Sequence, residues 1–461
     1  MKANSPLFTI VMPTRNRAHI LSNALRSALN QTFDDYEIIV MANNCTDNTK
    51  EVVASLATSR VHYYETDKTL SMPDNWEYAW TKATGKYVTY LSDDDALIPS
   101  ALQLLAEQAL EGNPPVVSWE DGIYYYPNET DPNVQNNLLL LFFFGHVLVE
   151  DVDSTTLLDQ LAKLEFSWTA SIPKMNNCAV NRIFWEEWRD RLGRLFFPIA
   201  PDYSFAWIST QICPTIRIVR RPLSVRGISD NSIGSDGNLG SAGQAFFKEF
   251  DKIDFFSESP INLPTSMNII VSTFAQINAA FIKCGKSPKV VDKQALIIAL
   301  TKQIIEFRHL LPDYQIYLNK LINTANNISN EFKQQIDGIT TEPENIKQVE
   351  SALALQKRIQ KSALTFPISI KREMIAHSND LQSALCTLGL RNDVLADRNW
   401  ACVYVFGDAL NCKNIYEMSL YVDLYYDLLI RGRNKKIKRK SMHIKMIAIR
   451  SIKYLKNKLY K

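Results

Sequence analysis

Net charge is nearly absent from this chain: 51 Lys and Arg stand against 49 Asp and Glu, leaving +2 over 461 residues. That balance excludes a general nucleic-acid binder, which needs a surplus of basic side chains against phosphate. Paired cysteines are missing as well. The seven thiols, Cys45, Cys178, Cys213, Cys284, Cys386, Cys402 and Cys412, are odd in number, scattered and free of CxxC spacing. Neither a disulfide framework nor a zinc site is expected, and a reducing, cytoplasmic compartment fits. No apolar run is long enough to cross a bilayer, which takes about 20 residues. The longest, Leu138 to Phe144 and on to Val149, reads as a buried strand or core helix. Residues 1–6 lack the apolar core of a signal peptide. No GxGxxG follows the first strand and no GxxxxGK motif occurs, which argues against a nicotinamide dehydrogenase and a P-loop enzyme.

What is present is the balance of a globular protein, with 46% apolar and 22% charged residues. At roughly 150 residues per domain, two or three domains are expected. Up to about residue 110, strand and helix signals alternate. The strand runs are 8–12, 36–41, 61–64 and 87–91, and helical spacing appears at 18–30, around 52–56 and at 75–82. Such alternation predicts βαβ units around a mainly parallel sheet, with ligands beyond the carboxyl ends of the strands. Strands are then expected at 116–119, 123–126 and 215–221, and helices at 181–192 and 203–211. Residues 227–240 are rich in Gly, Ser, Asp and Asn and read as a flexible loop or boundary. Beyond 241 the pattern is mainly helical, in long segments such as 267–282, 292–311 and 314–332.

Two strand ends carry chemistry. Asp93-Asp94-Asp95 follows the fourth strand directly. Adjacent carboxylates repel one another unless a positive group joins them. A divalent cation, Mg²⁺ or Mn²⁺, suits this: it takes one or two carboxylates and completes its shell with phosphate oxygens and water. A solvated acidic turn is the other reading of a bare acid triplet. Pro13-Thr14-Arg15-Asn16-Arg17 closes the first strand, where backbone amides and Arg17 can meet phosphate. It also fits an ordinary capped turn.

Taken together and in order, several stretches resemble glycosyltransferase family 2. They are Ile10 to Ala18, Ala28 to Phe33, Tyr36 to Val40, Cys45-Thr46-Asp47-Asn48-Thr49, and Ala83-Thr84-Gly85-Lys86 leading into Leu91-Ser92-Asp93-Asp94-Asp95. The likeness is specific over residues 7–110 and looser to about 235. It implies a GT-A fold and an inverting, metal-dependent transfer of sugar from a nucleotide-sugar, UDP-linked by family default. By the same resemblance, Pro13, Thr14 and Asn16 line the nucleotide pocket, beside Arg17 as the candidate phosphate contact. Asp93 sits near the ribose, and Asp94 and Asp95 are the metal ligands. The implied acceptor is a glycan or lipid-linked hydroxyl in cell-surface polysaccharide or glycolipid synthesis.

One departure stands out. Where the family carries an acid after the second strand, this chain has Ala42-Asn43. Asn43 can donate and accept a hydrogen bond; Ala42 can do neither through its side chain. GDP or dTDP therefore remains open beside UDP, and a non-catalytic nucleotide-sugar binding or assembly protein is the alternative function. Asp202, opening a helix about a hundred residues past the triplet, matches the position of the family's catalytic carboxylate, though it also reads as an N-terminal helix acid. Arg226, before the Gly-rich loop, is a candidate phosphate contact or part of a solvated edge. Trp76, Trp119 and Trp207 fit core packing better than ligand stacking.

The expected organisation is a glycosyltransferase domain over 1–240, with nucleotide-binding and acceptor-side halves at 1–112 and 113–240. A helical domain at 241–430 and a basic amphipathic tail at 431–461 follow. The tail, with Arg431 to Lys440 ahead of an apolar stripe among lysines, suits the anionic inner face of a membrane or a protein contact.

Overall fold

The computed structural model describes residues 5–128, 135–143, 149–165, 172–229, 259–341, 400–406, 414–420 and 422–423. Strands β1 (Phe8–Thr14), β2 (Tyr36–Ala42), β3 (Val61–Glu65) and β4 (Tyr87–Tyr90) alternate with helices α1 (Ala18–Leu29), α2 (Thr49–Ser55) and α3 (Met72–Trp80). A short strand β5 (Ala96–Leu97) and helix α4 (Ala101–Leu110) follow. Next come β6 (Val116–Tyr125), β7 (Asn137–Phe143), β8 (Val149–Asp153), α5 (Ser154–Ala162), β9 (Cys178–Asn181), α6 (Arg182–Leu192), α7 (Pro201–Ile212) and β10 (Thr215–Ile228). Helices α8 (Ser266–Lys283), α9 (Lys293–Glu306), α10 (Tyr314–Ile328) and α11 (Asn330–Thr341) precede β11 (Trp400–Phe406).

The strands form one sheet in the order β11-β7-β6-β9-β4-β1-β2-β3, with β10 beside β6 and carrying β5 and β8. The pairs β1–β2, β2–β3 and β1–β4 are parallel, while β9 joins β4 antiparallel. This is the expected class: a mainly parallel sheet flanked by helices, with helices following. Chain order reverses at β1, since β2 lies on one side and β4 on the other. The crevice at such a reversal opens at the carboxyl ends of β1 and β4, the place where open α/β sheets bind ligands.

Two apolar layers cover the sheet. Leu21, Ala24, Leu25 and Ala28 of α1 and Leu102, Leu105 and Ala109 of α4 pack on one face. Trp76 and Trp80 of α3, Trp185 of α6, and Phe205 and Trp207 of α7 pack on the other. The tryptophans are core residues: Trp207 stacks on Phe274 at 4.1 Å between centroids and donates to Asn278 at 2.8 Å.

Several elements differ from the sequence reading. Residues 116–125 are one strand, not two, because Gly122 continues the ladder with β10. Helix α3 begins earlier, at Met72, because Ser71 caps it by accepting from the Asp74 N–H. Strand β10 runs past Pro222 to Ile228 through irregular register beside that proline, so Gly227 is a strand residue rather than loop. The stretch expected to be helical beyond 241 contains β11, which pairs antiparallel with β7. Ile415, Met418 and Val422 also return to the core layer of α1 and α4. That tie reflects a long-range apolar match that periodicity does not reveal. The basic tail at 431–461 lies outside the described residues. Among the described residues no helix is long and apolar enough to cross a membrane.

Packing is tight where β1 and β4 are joined. The Gly85 N–H donates to Thr9 Oγ1 at 2.8 Å. Thr9 in turn donates to the buried Glu37, which also accepts from the Thr84 N–H and hydroxyl. A Cβ on Gly85 would lie 2.6 Å from the Thr9 nitrogen and 2.7 Å from the Phe8 carbonyl carbon. Backbone cannot yield cheaply, so Gly85→Ala is expected to cost about 1–3 kcal/mol or more, read as a lower denaturant midpoint with an unchanged slope.

Candidate active site

The loop after β1 turns sharply into α1. Asn16 has φ +56°, a left-handed conformation that Asn tolerates. Its carboxamide oxygen accepts from the Thr46 N–H at 2.7 Å, tying this loop to the one after β2. Helix α1 lacks a side-chain cap of its own. Asp47 supplies one from that second loop, accepting from the Ala18 N–H at 2.9 Å. The two loops are thus locked together beside the carboxyl end of β4.

There the acid triplet is held on three sides. Thr14 Oγ1 donates to Asp93 Oδ2 at 2.7 Å. Arg17 donates through Nη1 to Asp93 Oδ1 at 2.7 Å and through Nη2 to Asp94 Oδ2 at 2.8 Å. The Gly227 N–H donates to Asp95 Oδ1 at 2.9 Å, and the Tyr126 hydroxyl donates to the Asp94 carbonyl at 3.1 Å. Gly227 is needed for that approach, because a Cβ there would lie 2.1 Å from the Asp94 carbonyl oxygen.

The opposite wall carries a second charged group. Arg226 of β10 lies in electrostatic reach of Asp95, Asp121 and Asp202, and Lys174 in reach of Asp121 and Asp202. Asp121 on β6 accepts from the Ser224 hydroxyl, which itself accepts from Trp119 Nε1 at 2.7 Å. The Arg226 Nε is buried without a hydrogen-bond partner among the described residues. Asp202 opens α7 behind Pro201. Helix α8 secures that start: Thr273 Oγ1 accepts from the Ile199 and Ala200 N–H groups, and Gln276 Nε2 donates to the Pro198 carbonyl at 2.7 Å.

The crowding shifts proton affinities. Burial raises Asp93 to about 7; Arg17 and Thr14 oppose the rise and Asp94 adds to it. Burial, with Asp94 second, pushes Asp95 upward. Burial also raises Asp121 and Asp202 above the usual carboxylate range against the pull of Arg226 and Lys174. For Arg17, burial works against the charge, but Asp93 and Asp94 outweigh it and hold the pKa above its ordinary value.

Of the residues singled out from sequence, Thr14, Arg17, Asp93, Asp94 and Asp95 form one bonded cluster, with Pro13 and Asn16 shaping its rim. Arg226 lies in electrostatic reach of both Asp95 and Asp202. Asn43 is placed differently. It is buried, and its carboxamide accepts from the Leu70 N–H at 2.8 Å and donates to the Leu70 carbonyl at 2.9 Å. It therefore holds the segment before α3 against the end of β2. Asp121, Lys174 and Tyr126 escaped the sequence reading. Paired acids inside the apolar run 116–125 are a signal for Asp121; nothing local marks Lys174.

A family model described as glycosyl transferase family 2 matches residues 9–160. This segment belongs to glycosyl transferase family 2. A GalNAc(5)-diNAcBac-PP-undecaprenol beta-1,3-glucosyltransferase of Campylobacter jejuni is 38% identical over 110 residues, 23% of this chain and 36% of that protein. A UDP-Glc:alpha-D-GlcNAc-diphosphoundecaprenol beta-1,3-glucosyltransferase of Escherichia coli is 27% identical over 107 residues, 23% of this chain and 42% of the relative. The matched part thus spans less than half the length of either relative. A solved structure of S. aureus TarS 1–349 with UDP-GlcNAc aligns at TM-score 0.40 and 12% identity, over 77% of this chain and 90% of that one.

The family 2 segment supplies β1 to β4 and the acid triplet, while Asp202 and Arg226 come from beyond it. The raised Asp93 gives a pH signature. Its folded pKa of about 7 exceeds the unfolded value, so its proton stabilises the fold at low pH, and that contribution fades as pH rises through about 7. Without divalent cations, Asp93→Asn is expected to flatten the fall in melting temperature between pH 5 and pH 8, as calorimetric scans across that range will show.

Proposed function

We propose that this chain is an inverting glycosyltransferase that moves a sugar from a nucleotide-sugar, UDP-linked by preference, to an acceptor hydroxyl. The observation that carries the reading is the meeting of Asp93, Asp94 and Asp95 with Arg17 on one wall and Asp202 and Arg226 on the other. The family 2 membership of residues 9–160 supports the reaction class. The undecaprenol-diphosphate names of both relatives support a lipid-linked acceptor in cell-surface polysaccharide synthesis.

The donor set fits Mg²⁺ or Mn²⁺. Around the crevice the carboxylates of Asp93, Asp94, Asp95, Asp121 and Asp202 face the cations Arg17, Lys174 and Arg226. Fully ionised, they leave a surplus of negative charge. Among the described residues no group of three or more acids, histidines or cysteines is placed to hold a metal ion, so a hard ion taking one or two carboxylates would draw its other ligands from a diphosphate and water. Asp94, 14% exposed, and Asp95 would hold it, and when bound it would neutralise charge on the leaving diphosphate.

The chain's own groups divide the remaining work. Thr14 and Arg17 fix Asp93 toward the nucleotide. Arg226, whose buried Nε–H has no hydrogen-bond partner among the described residues, would be available to a phosphate oxygen. Asp202 accepts the acceptor's proton as its oxygen attacks the anomeric carbon and the bond to phosphate breaks. Proton transfer to a placed carboxylate of raised pKa accelerates such attack by about 10²–10⁴.

Asp94→Asn is expected to abolish transfer, a loss of at least about 10², with an unchanged circular dichroism spectrum. Excess EDTA is expected to do the same to the wild type, and full activity in EDTA removes the metal from the reading. Asp202→Asn is expected to lose activity by about 10²–10⁴ with donor affinity kept. Because a base works deprotonated, wild-type activity should fall as pH drops through a value above the usual carboxylate range. Profiles that stay flat down to the aggregation limit are incompatible with Asp202 as base. A second reading, nucleotide-sugar binding without catalysis, has one observation behind it: Ala42 is buried and Asn43 is bonded to Leu70, leaving no acid at that strand end. Calorimetric donor binding without turnover across an acceptor panel would favour it.

A further inference from the structure

Arg17 stands where the acid triplet would otherwise meet a metal. Its guanidinium bridges Asp93 and Asp94 at 2.7 and 2.8 Å, each carboxylate taking one nitrogen. A divalent ion on Asp94 would repel the guanidinium held on Oδ2 of the same carboxylate, so one of the two is favoured to move.

Rigidity decides which. Asp93 is pinned by Thr14, Asp95 by the Gly227 N–H, and the Asp94 backbone by the Tyr126 hydroxyl and by Gly227 pressed against its carbonyl. The Arg17 backbone is fixed too, since its carbonyl accepts from the Ile20 and Leu21 N–H groups. Its side chain is the adaptable part: it is 29% exposed, and its aliphatic torsions can move between staggered rotamers. It lies at the start of α1, where a diphosphate would find both the helix N-terminus and this guanidinium.

Resting on the nucleotide-sugar reading above, we propose that Arg17 is an exchanging counter-cation: it holds Asp93 and Asp94 together without donor and turns onto the donor diphosphate when a divalent ion takes Asp94. Metal and nucleotide then bind as a linked pair. Each is weakened by the Arg17–Asp94 bridge when alone, and each relieves it for the other. Linkage makes the effect reciprocal, so metal tightens nucleotide by the factor with which nucleotide tightens metal.

The test is calorimetric titration of the full chain, wild type and Arg17→Gln, with Mn²⁺ alone, with UDP, GDP and dTDP alone, and with Mn²⁺ plus each nucleotide. For the wild type, weak Mn²⁺ binding alone and a coupling factor of about 10 or more are expected, within the usual range of such linkages. In Arg17→Gln, Mn²⁺ alone should bind more tightly, the nucleotide more weakly, and the coupling factor should fall several-fold. A mere background charge would shift both affinities and leave the coupling unchanged, and that result overturns the exchange while sparing the metal site. If Mn²⁺ binds neither protein, with or without nucleotide, the metal reading and the exchange fall together. Melting curves establish that the variant is folded. Should it not fold, Arg17→Lys takes its place, because an ammonium cannot span both carboxylates as a planar fork does, and the same loss of coupling is expected.

Discussion

Three consecutive carboxylates at the end of a buried strand repel one another. At an effective dielectric near 20, two unit charges about 4 Å apart cost about 4 kcal/mol, a large share of the 5–15 kcal/mol that keeps a domain folded. The neighbourhood of Asp93, Asp94 and Asp95 is arranged around that repulsion. Thr14 comes from the end of β1 and Arg17 from the loop after it, the Gly227 N–H comes from β10, and Arg226, next to Gly227 on that strand, lies in electrostatic reach of Asp95. Sheet order makes this convergence possible, because the chain reverses direction of growth at β1 and leaves the ends of β1 and β4 adjacent.

Holding such charges in place demands a stiff frame, and the frame is built from hydrogen bonds away from the triplet. Thr9, Glu37, Thr84 and Gly85 lock β1 to the turn before β4. Asn16, Thr46 and Asp47 lock the first two loops. Beside Asp202, Thr273 and Gln276 of α8 fix the peptide run that leads into α7. The helical part of the chain is therefore not an appendage: without α8 the start of α7 would lose its anchor, and Phe274 and Phe281 would leave the core layer under the sheet.

The donor half was legible from sequence because its parts are local. A strand, a loop and a helix lie within about 20 residues, and the resemblance of 10–18 and 83–95 to family 2 binds them into one pattern. The far wall was legible only in pieces. Asp202 and Arg226 were marked in the sequence, but Asp121 and Lys174, which lie in electrostatic reach of them, sit on a mid-sheet strand and a connecting segment without a motif. Asn43 shows the opposite failure. Its position at a strand end suggested a ligand contact, whereas burial gave its carboxamide to Leu70. The strand at 400–406 went unseen because its partner, β7, is more than 250 residues distant in sequence.

One departure from local rules lies at the site itself, and it is informative. A basic side chain at the start of a helix opposes the positive end of the helix dipole by about 0.3–1 kcal/mol. Arg17 occupies that position directly after Asn16 in a left-handed conformation. Neither choice suits an isolated loop-to-helix turn. Two short ion pairs to Asp93 and Asp94, made in a half-buried setting, outweigh the dipole penalty, and Asp47 supplies the cap that Arg17 cannot. Stability alone would be served as well by a serine or aspartate cap with fewer acids opposite. The coexistence of a misplaced cation and surplus carboxylates is what the proposed entry of a divalent ion and a diphosphate between them would account for.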